Sequence, residues 1–120
     1  MARPSHKELT GKLKTALQCV HANRILLVEP VVIAADAIEL DYPLSELQTV
    51  LLDLLNCTGP EHYAGNRPPA KSYETRIKSL ELWAFSVTCP RFTPYIYYKF
   101  ALHENWFFLV SLHPSRGTRG

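Results

Sequence analysis

The sequence predicts an α+β domain in which three helices precede a small C-terminal antiparallel sheet. Three observations carry that prediction. Apolar residues recur at helical spacing in two stretches of the first half, Leu9 to Val20 and Leu44 to Leu55. From Tyr95 to Leu102 the pattern changes to strict alternation, the period of a strand with one buried face. Between them lies Cys57 to Ser72, broken by Gly59, Pro60, Gly65, Pro68 and Pro69, which reads as a loop. At 120 residues the chain is expected to form a single domain spanning 1–120.

The first helix is announced by a capping box, Ser5 followed three residues later by Glu8, and should end between Ala22 and Arg24. Leu9, Leu13, Leu17 and Val20 form its apolar stripe, with Lys7, Lys12 and Lys14 toward solvent. Ile25 to Val28 is too short to assign as strand or link. Pro30 suits the first turn of a second helix running to about Leu40, with Ile33, Ala34, Ala37 and Ile38 on its buried side. Asp41-Tyr42-Pro43 then turns into a third helix, capped by Ser45 or Asp41, whose Leu44, Leu47, Val50, Leu51, Leu54 and Leu55 are core.

In the second half, Leu80 to Thr88 reads as a strand with Trp83, Phe85 and Val87 on one side and Leu82 and Ala84 on the other. Being apolar on both faces, it is expected to be central. The strands Tyr95 to Leu102 and Trp106 to His113 close a hairpin, and the turn decides what meets what. A two-residue loop at Glu104-Asn105 sets Lys99 beside Val110 and mixes polar with apolar residues. A three-residue loop, His103-Glu104-Asn105, with Asn105 left-handed, pairs Leu102 with Trp106 instead. Phe100 and Leu102 then share a face with Phe108, Val110 and Leu112, while Tyr97, Lys99, Ser111 and His113 gather on the other. A phenol, an ammonium, a hydroxyl and an imidazole in one place suit phosphate chemistry; an ordinary solvated sheet face is the competing interpretation.

Composition limits the function classes. An apolar content of 47% with 20% charged residues is that of a soluble globular protein. No apolar run approaches the roughly 20 residues of a membrane span, and no apolar stretch follows the N-terminal basic residues, so a cytoplasmic protein without membrane contact is expected. Cys19, Cys57 and Cys89 are far apart and odd in number, which argues against a disulfide framework and for buried or idle thiols. The histidines at 6, 21, 62, 103 and 113 show no ligand spacing, so neither metal nor cofactor is expected. The net charge of +2 conceals a partition. Ile25 through Asn66 holds seven acids and no Lys or Arg, whereas Arg67 to the end holds eight basic residues against Glu74, Glu81 and Glu104. Basic charge interleaved with aromatic rings suits RNA or another single strand. Attraction between the two halves, or simple solvation, accounts for the partition equally well.

The stretch Leu40-Asp41-Tyr42-Pro43, with Leu47, Val50, Leu51, Leu54 and then Pro60-Glu61-His62-Tyr63, resembles the "LDF…V…L…DFY" segment of the MqsR toxins. The final hairpin, Ile96-Tyr97-Tyr98-Lys99-Phe100 leading to Leu109-Val110-Ser111-Leu112, resembles that family's "VYLKL…IVSF" strands. The similarity runs in order from about Ile25 to His113. It implies a RelE-like fold and a toxin of a toxin-antitoxin pair, an endoribonuclease cleaving messenger RNA, free or on the ribosome, and silenced by a cognate antitoxin protein. The family's hairpin tyrosine falls on Tyr97, and its lysine at the end of the last strand falls on His113. The lysine after the family's Asp-Phe-Tyr triplet is Ala64 here, with Arg67 and Lys71 close enough in sequence to substitute. The family's Trp-Gln pair has no counterpart in Tyr73 to Ile77.

Metal-independent RNA cleavage requires a base for the ribose 2′-hydroxyl, an acid for the leaving 5′-oxygen and cations for the phosphorane. His113 is the candidate base or acid, since an unperturbed imidazole pKa of about 6.5 lets it act either way near neutrality. Tyr97 is the candidate for hydrogen bonding the phosphate or sharing the proton transfer. Lys99, Arg67, Lys71 and Arg91 are candidate phosphate ligands, with Ser111 beside Lys99. Tyr63 or Tyr73 is a candidate base-stacking ring, and His62 a loop hydrogen-bonder. Two other classes remain open: a catalytically inactive RNA-binding module, and a protein-interaction module that pairs through a strand edge or helix.

Overall fold

The structure, a computed structural model, describes residues 4–93 and 95–115. Pro94 and the tail arginines Arg116 and Arg119, expected to add weak electrostatic attraction, lie outside the described residues. The architecture is α+β: helices α1 (His6–His21), α2 (Pro30–Leu40) and α3 (Leu47–Asn56) precede strands β2 (Trp83–Val87), β3 (Ile96–His103) and β4 (Trp106–Pro114). The short run Ile25–Leu27 is a strand, β1. It pairs in parallel with β4, giving a four-stranded mixed sheet of order β1-β4-β3-β2 in place of three antiparallel strands. Three apolar residues cannot signal a strand by themselves, so only the neighbouring β4 decides their conformation.

Local signals set the helices, with two exceptions. Ser5 caps α1 by accepting from the Glu8 N–H at 3.0 Å, as its capping box requires. Pro30 opens α2, whose C-cap Asp41 adopts the left-handed conformation (φ 63°). That use of Asp41 removes it as a cap for the third helix. Neither it nor Ser45 caps α3, which is entered through a 3-10 turn, Leu44–Glu46, without a side-chain cap. On α2 the buried side is Ile33, Asp36, Ala37 and Leu40, while Ile38 is 81% exposed and Leu44 is also exposed. The stripe therefore sits one position round from the sequence expectation, because a helix apolar on most sides carries little phase information.

A single main core joins the three helices to one face of the sheet. Leu9, Leu13 and Val20 of α1, Ile33 and Ala37 of α2, and Val50, Leu51 and Leu54 of α3 meet Trp83, Phe85, Ile96, Tyr98, Phe100, Phe107, Leu109 and Leu112. Phe100 stacks on Phe107 at 4.7 Å and on Phe85 at 6.0 Å between ring centroids. Truncating one of these buried rings to Ala is worth about 3–5 kcal/mol. Strand β2 is the last strand of the ladder and so is not central. Its outer edge is nonetheless covered by the preceding loop, through isolated bridges Tyr63 to Phe85 and Lys71 to Glu81. This covering leaves less of the row of backbone groups on that edge open.

The hairpin departs from the expected register in a way that preserves its result. Glu104 and Asn105 form a two-residue turn with φ of 50° and 68°, the type I′ geometry, so His103 pairs with Trp106 and Leu102 with Phe107. The inward residues near the turn are consequently Phe107 and Leu109, both fully buried, and Phe108 and Val110 do not share the face of Phe100 and Leu102. Lys99 would next meet Val110, the mixed register that a two-residue turn imposes. A bulge intervenes: Phe100 pairs with Leu109 and Lys99 with Ser111, leaving Val110 without a partner. Beyond it Leu112 is buried opposite Tyr98, and His113 pairs with Tyr97.

Candidate functional site

The outer face of the sheet is divided into two parts. At the turn end, Ala84 and Ala101 are at most 1% exposed yet stand apart from the main core, as does Ile77. The segment carrying Ile77 is anchored beside β2 by the Ser72 N–H donating to the Leu80 carbonyl at 2.9 Å. Arg76 Nη1 donates to the Leu27 carbonyl on β1 at 2.9 Å. This segment thus crosses from one edge of the sheet to the other and covers the small residues below it. The opposite end of the face remains half-buried and polar.

There, Tyr97 is flanked across the sheet by His113 on β4 and Ser86 on β2, and Lys99 by Ser111 and Ala84. Strands about 4.8 Å apart place Ser86 and His113 about 10 Å from one another, with Tyr97 between them. The Tyr97 and His113 rings stack at 5.2 Å with an interplanar angle of 26°. His113 Nδ1 lies 2.7 Å from the Pro114 carbonyl oxygen. A carbonyl only accepts, so in the neutral imidazole the proton sits on Nδ1 and Nε2 is left as an acceptor. Partial burial holds the Tyr97 phenol above the usual tyrosine pKa, so it keeps its proton. The two rings therefore present opposite capacities, a proton acceptor and a proton donor, on one surface.

The four hairpin residues that alternation selected, Tyr97, Lys99, Ser111 and His113, are brought together. Other candidates lie elsewhere. Tyr63 is 5% exposed, tilted against Trp83 and edge-on to Phe85, with its hydroxyl donating to the Asn66 carbonyl, so it belongs to the core. Arg91 is engaged by Asp53 at 2.7 Å and Glu46 at 4.0 Å, which ties the β2–β3 connection to α3 and joins the basic half to the acidic half. Lys71 forms a backbone bridge with Glu81 and shares a surface pocket with Lys12, Ser79 and Trp83. Five residues along the strand separate Glu81 from Ser86, roughly 16 Å from the Tyr97 row. Arg67 is exposed on the loop outside β2, and Tyr73, 95% exposed, is on the segment that crosses the sheet. His62 is a loop hydrogen-bonder as expected, its Nδ1 accepting from the Gly59 N–H at 2.9 Å.

Ser86 escaped the sequence reading although a signal for it was present. Trp83, Phe85 and Val87 alternate with Ala84 and Ser86, which places the serine hydroxyl outward beside Tyr97. Its Oγ lies 3.4 Å from that of Ser115 at the end of β4. Among the described residues no cluster of His, Cys, Asp and Glu is arranged to hold a metal ion, and no helix is long and apolar enough to cross a membrane. Compared with family models, curated proteins and solved structures, the chain matches none of them.

Proposed function

We propose that the protein is a metal-independent endoribonuclease acting on messenger RNA at the outer face of the β3–β4 hairpin. The observation that carries this reading is the stacked Tyr97–His113 pair, an acceptor nitrogen beside a protonated phenol. In the reaction, Nε2 of His113 takes the proton of a ribose 2′-hydroxyl as its oxygen attacks the adjacent phosphorus. The phosphorus–O5′ bond breaks, and Tyr97 donates its proton to the departing oxygen, leaving a cyclic 2′,3′-phosphate and a free 5′-hydroxyl. Lys99, two residues along the same face, supplies positive charge to the phosphorane, and Ser111 and Ser86 supply hydroxyl contacts. The resemblance of the hairpin to the MqsR strands supports a toxin held silent by an antitoxin protein.

The test is induced expression in bacteria of the wild type and of a folded Tyr97→Phe/His113→Ala double variant, recording growth and mapping new RNA ends. Growth arrest with discrete new 5′-hydroxyl ends, absent in the double variant, is expected. Normal growth and unchanged RNA with soluble wild-type protein would instead favour a binding module on the same scaffold.

A further inference from the structure

A second site lies behind the sheet, where α3 meets the β2–β3 connection. Cys57 is the C-cap of α3, and Cys89 follows β2 and accepts the turn hydrogen bond of Phe92. Their side chains are within hydrogen-bonding reach of each other, and both line a surface pocket of about 310 Å³ with Asp53, Asn56, Pro90 and Arg91. Contacts on either side hold the two backbones in place. Arg91 bonds Asp53 at 2.7 Å beside Cys89, and Thr58 Oγ1 bonds the Tyr98 hydroxyl at 2.8 Å beside Cys57. Cys57 is a helix cap and Cys89 lies in the connection after β2, so neither is inside a regular element. Cys57 is half-buried and reachable from solvent, whereas Cys89 is 4% exposed; Cys19 is buried on α1.

We infer that Cys57 and Cys89 are a dithiol–disulfide pair, oxidised by a low-molecular-weight disulfide such as glutathione disulfide. The sulfur of Cys57 attacks one sulfur of that disulfide, whose S–S bond breaks and releases one glutathione thiol. The sulfur of Cys89 then attacks Cys57 in the mixed disulfide, forming the internal bond and releasing the second thiol. Two protein thiols thus lose two electrons and two protons, and the small disulfide gains them. Burial, the neighbouring thiol and Asp53 hold Cys57 above the usual thiol pKa, which makes the exchange slow and an equilibrium measurement the appropriate readout.

The experiment equilibrates the folded full chain in buffers of increasing glutathione disulfide, quenches with acid, alkylates and maps the peptides. A monomeric product linked Cys57 to Cys89, with Cys19 still alkylated, is expected. Its melting temperature should rise by about 5 °C or more, since the bond closes a loop of about 30 residues in the unfolded chain. Cys89→Ser should trap a glutathione adduct on Cys57. A persistent adduct on Cys57 in the wild type, a bond to Cys19, linkage only between chains, or a lower melting temperature on linkage would overturn the inference. Tyr97→Phe should leave the linkage unchanged, so this result stands apart from the outcome for RNA cleavage.

Discussion

The β3–β4 hairpin has two halves built from the same strands under different rules. Near the turn, the register is set by a two-residue connection, and the inward residues of β4 are Phe107 and Leu109. Beyond Val110 the register is shifted by one, the inward residue is Leu112, and Ser111 and His113 face outward beside Lys99 and Tyr97. The burial pattern records the shift directly, because Val110 and Ser111 are consecutive half-buried residues between the buried Leu109 and Leu112. One unpaired residue thus separates a packing half from a polar half. Were Val110 paired opposite Lys99, the same two-residue turn would direct Ser111 and His113 inward.

The double substitution Ser111→Leu/Leu112→Ser is the most severe challenge to this division. It gives β4 the polarity of the register without a bulge and puts a hydroxyl where Leu112 is fully buried opposite Tyr98. We expect a loss of at least about 3 kcal/mol, or failure to fold, in urea denaturation of the double variant. Unchanged stability would show that β4 pairs with β3 without the bulge.

Next in size are the substitutions that separate chemistry from packing. Tyr97→Phe and His113→Gln should each lower RNA cleavage by about 100-fold or more, measured with a labelled oligonucleotide, while changing stability by less than about 1 kcal/mol. On the inward side of the same strand, Tyr98 is fully buried and bonded to Thr58 at 2.8 Å. Tyr98→Phe should reverse that pattern, costing about 1–2 kcal/mol by leaving Thr58 with one partner fewer and sparing the outer face. Equal effects of the two substitutions on cleavage would remove the distinction between the faces.

The turn offers a smaller, opposite change. Glu104 adopts a positive φ that an unbranched acidic side chain disfavours, and Asn105 adopts another. The double substitution Glu104→Asn/Asn105→Gly should stabilise the protein by about 0.5–1 kcal/mol in the same urea assay, without altering cleavage. A destabilised double variant would show that the turn is not the type I′ connection on which the register argument depends.

The smallest effect concerns buried phenols. Tyr42 has a buried hydroxyl without a hydrogen-bond partner, and burial followed by the nearby Asp36 charge pushes its pKa up to about 12. Tyr97 and Tyr98 are also raised, mainly by burial. A pKa higher in the folded state means that the folded protein retains protons which the unfolded chain releases. The associated stability is complete below the unfolded value near 10 and is lost as pH rises toward and through the folded values. Urea midpoints should therefore fall from about pH 10 upward. Tyr42→Phe should be neutral or slightly stabilising at pH 7 and should flatten that decline; a marked loss at pH 7 would reveal a partner for its hydroxyl.

The legibility of the site follows from where the sequence has a phase. Ile96, Tyr98, Phe100 and Leu102 alternate cleanly with Tyr95, Tyr97, Lys99 and Ala101, so the outward set on β3 is readable. On β4, Trp106 through Val110 is apolar at every position, and a run without polar members cannot say which residues turn inward. The three-residue loop was a consistent solution for that ambiguous strand, and it predicted the correct polar cluster through the wrong inward residues. Arg91 illustrates a different blindness. Its attachment to Asp53 and Glu46 joins residues 38 and 45 positions away, and no local pattern signals such a pair.

What the sequence determined by itself was local: the Ser5 cap, the Pro30 helix start, the proline-rich break, the α+β order, and the outward polar set on β3. Each depends on neighbours within a few residues, whose sterics and hydrogen bonds act before the chain is folded. Only the tertiary structure decided that Ile25–Leu27 is a strand, that β2 lies at a covered edge and that Val110 bulges. It also decided which cations reach the Tyr97–His113 pair and that Cys57 meets Cys89. Those outcomes come from pairing and burial between segments distant in sequence, where apolar area removed from water outweighs any local preference.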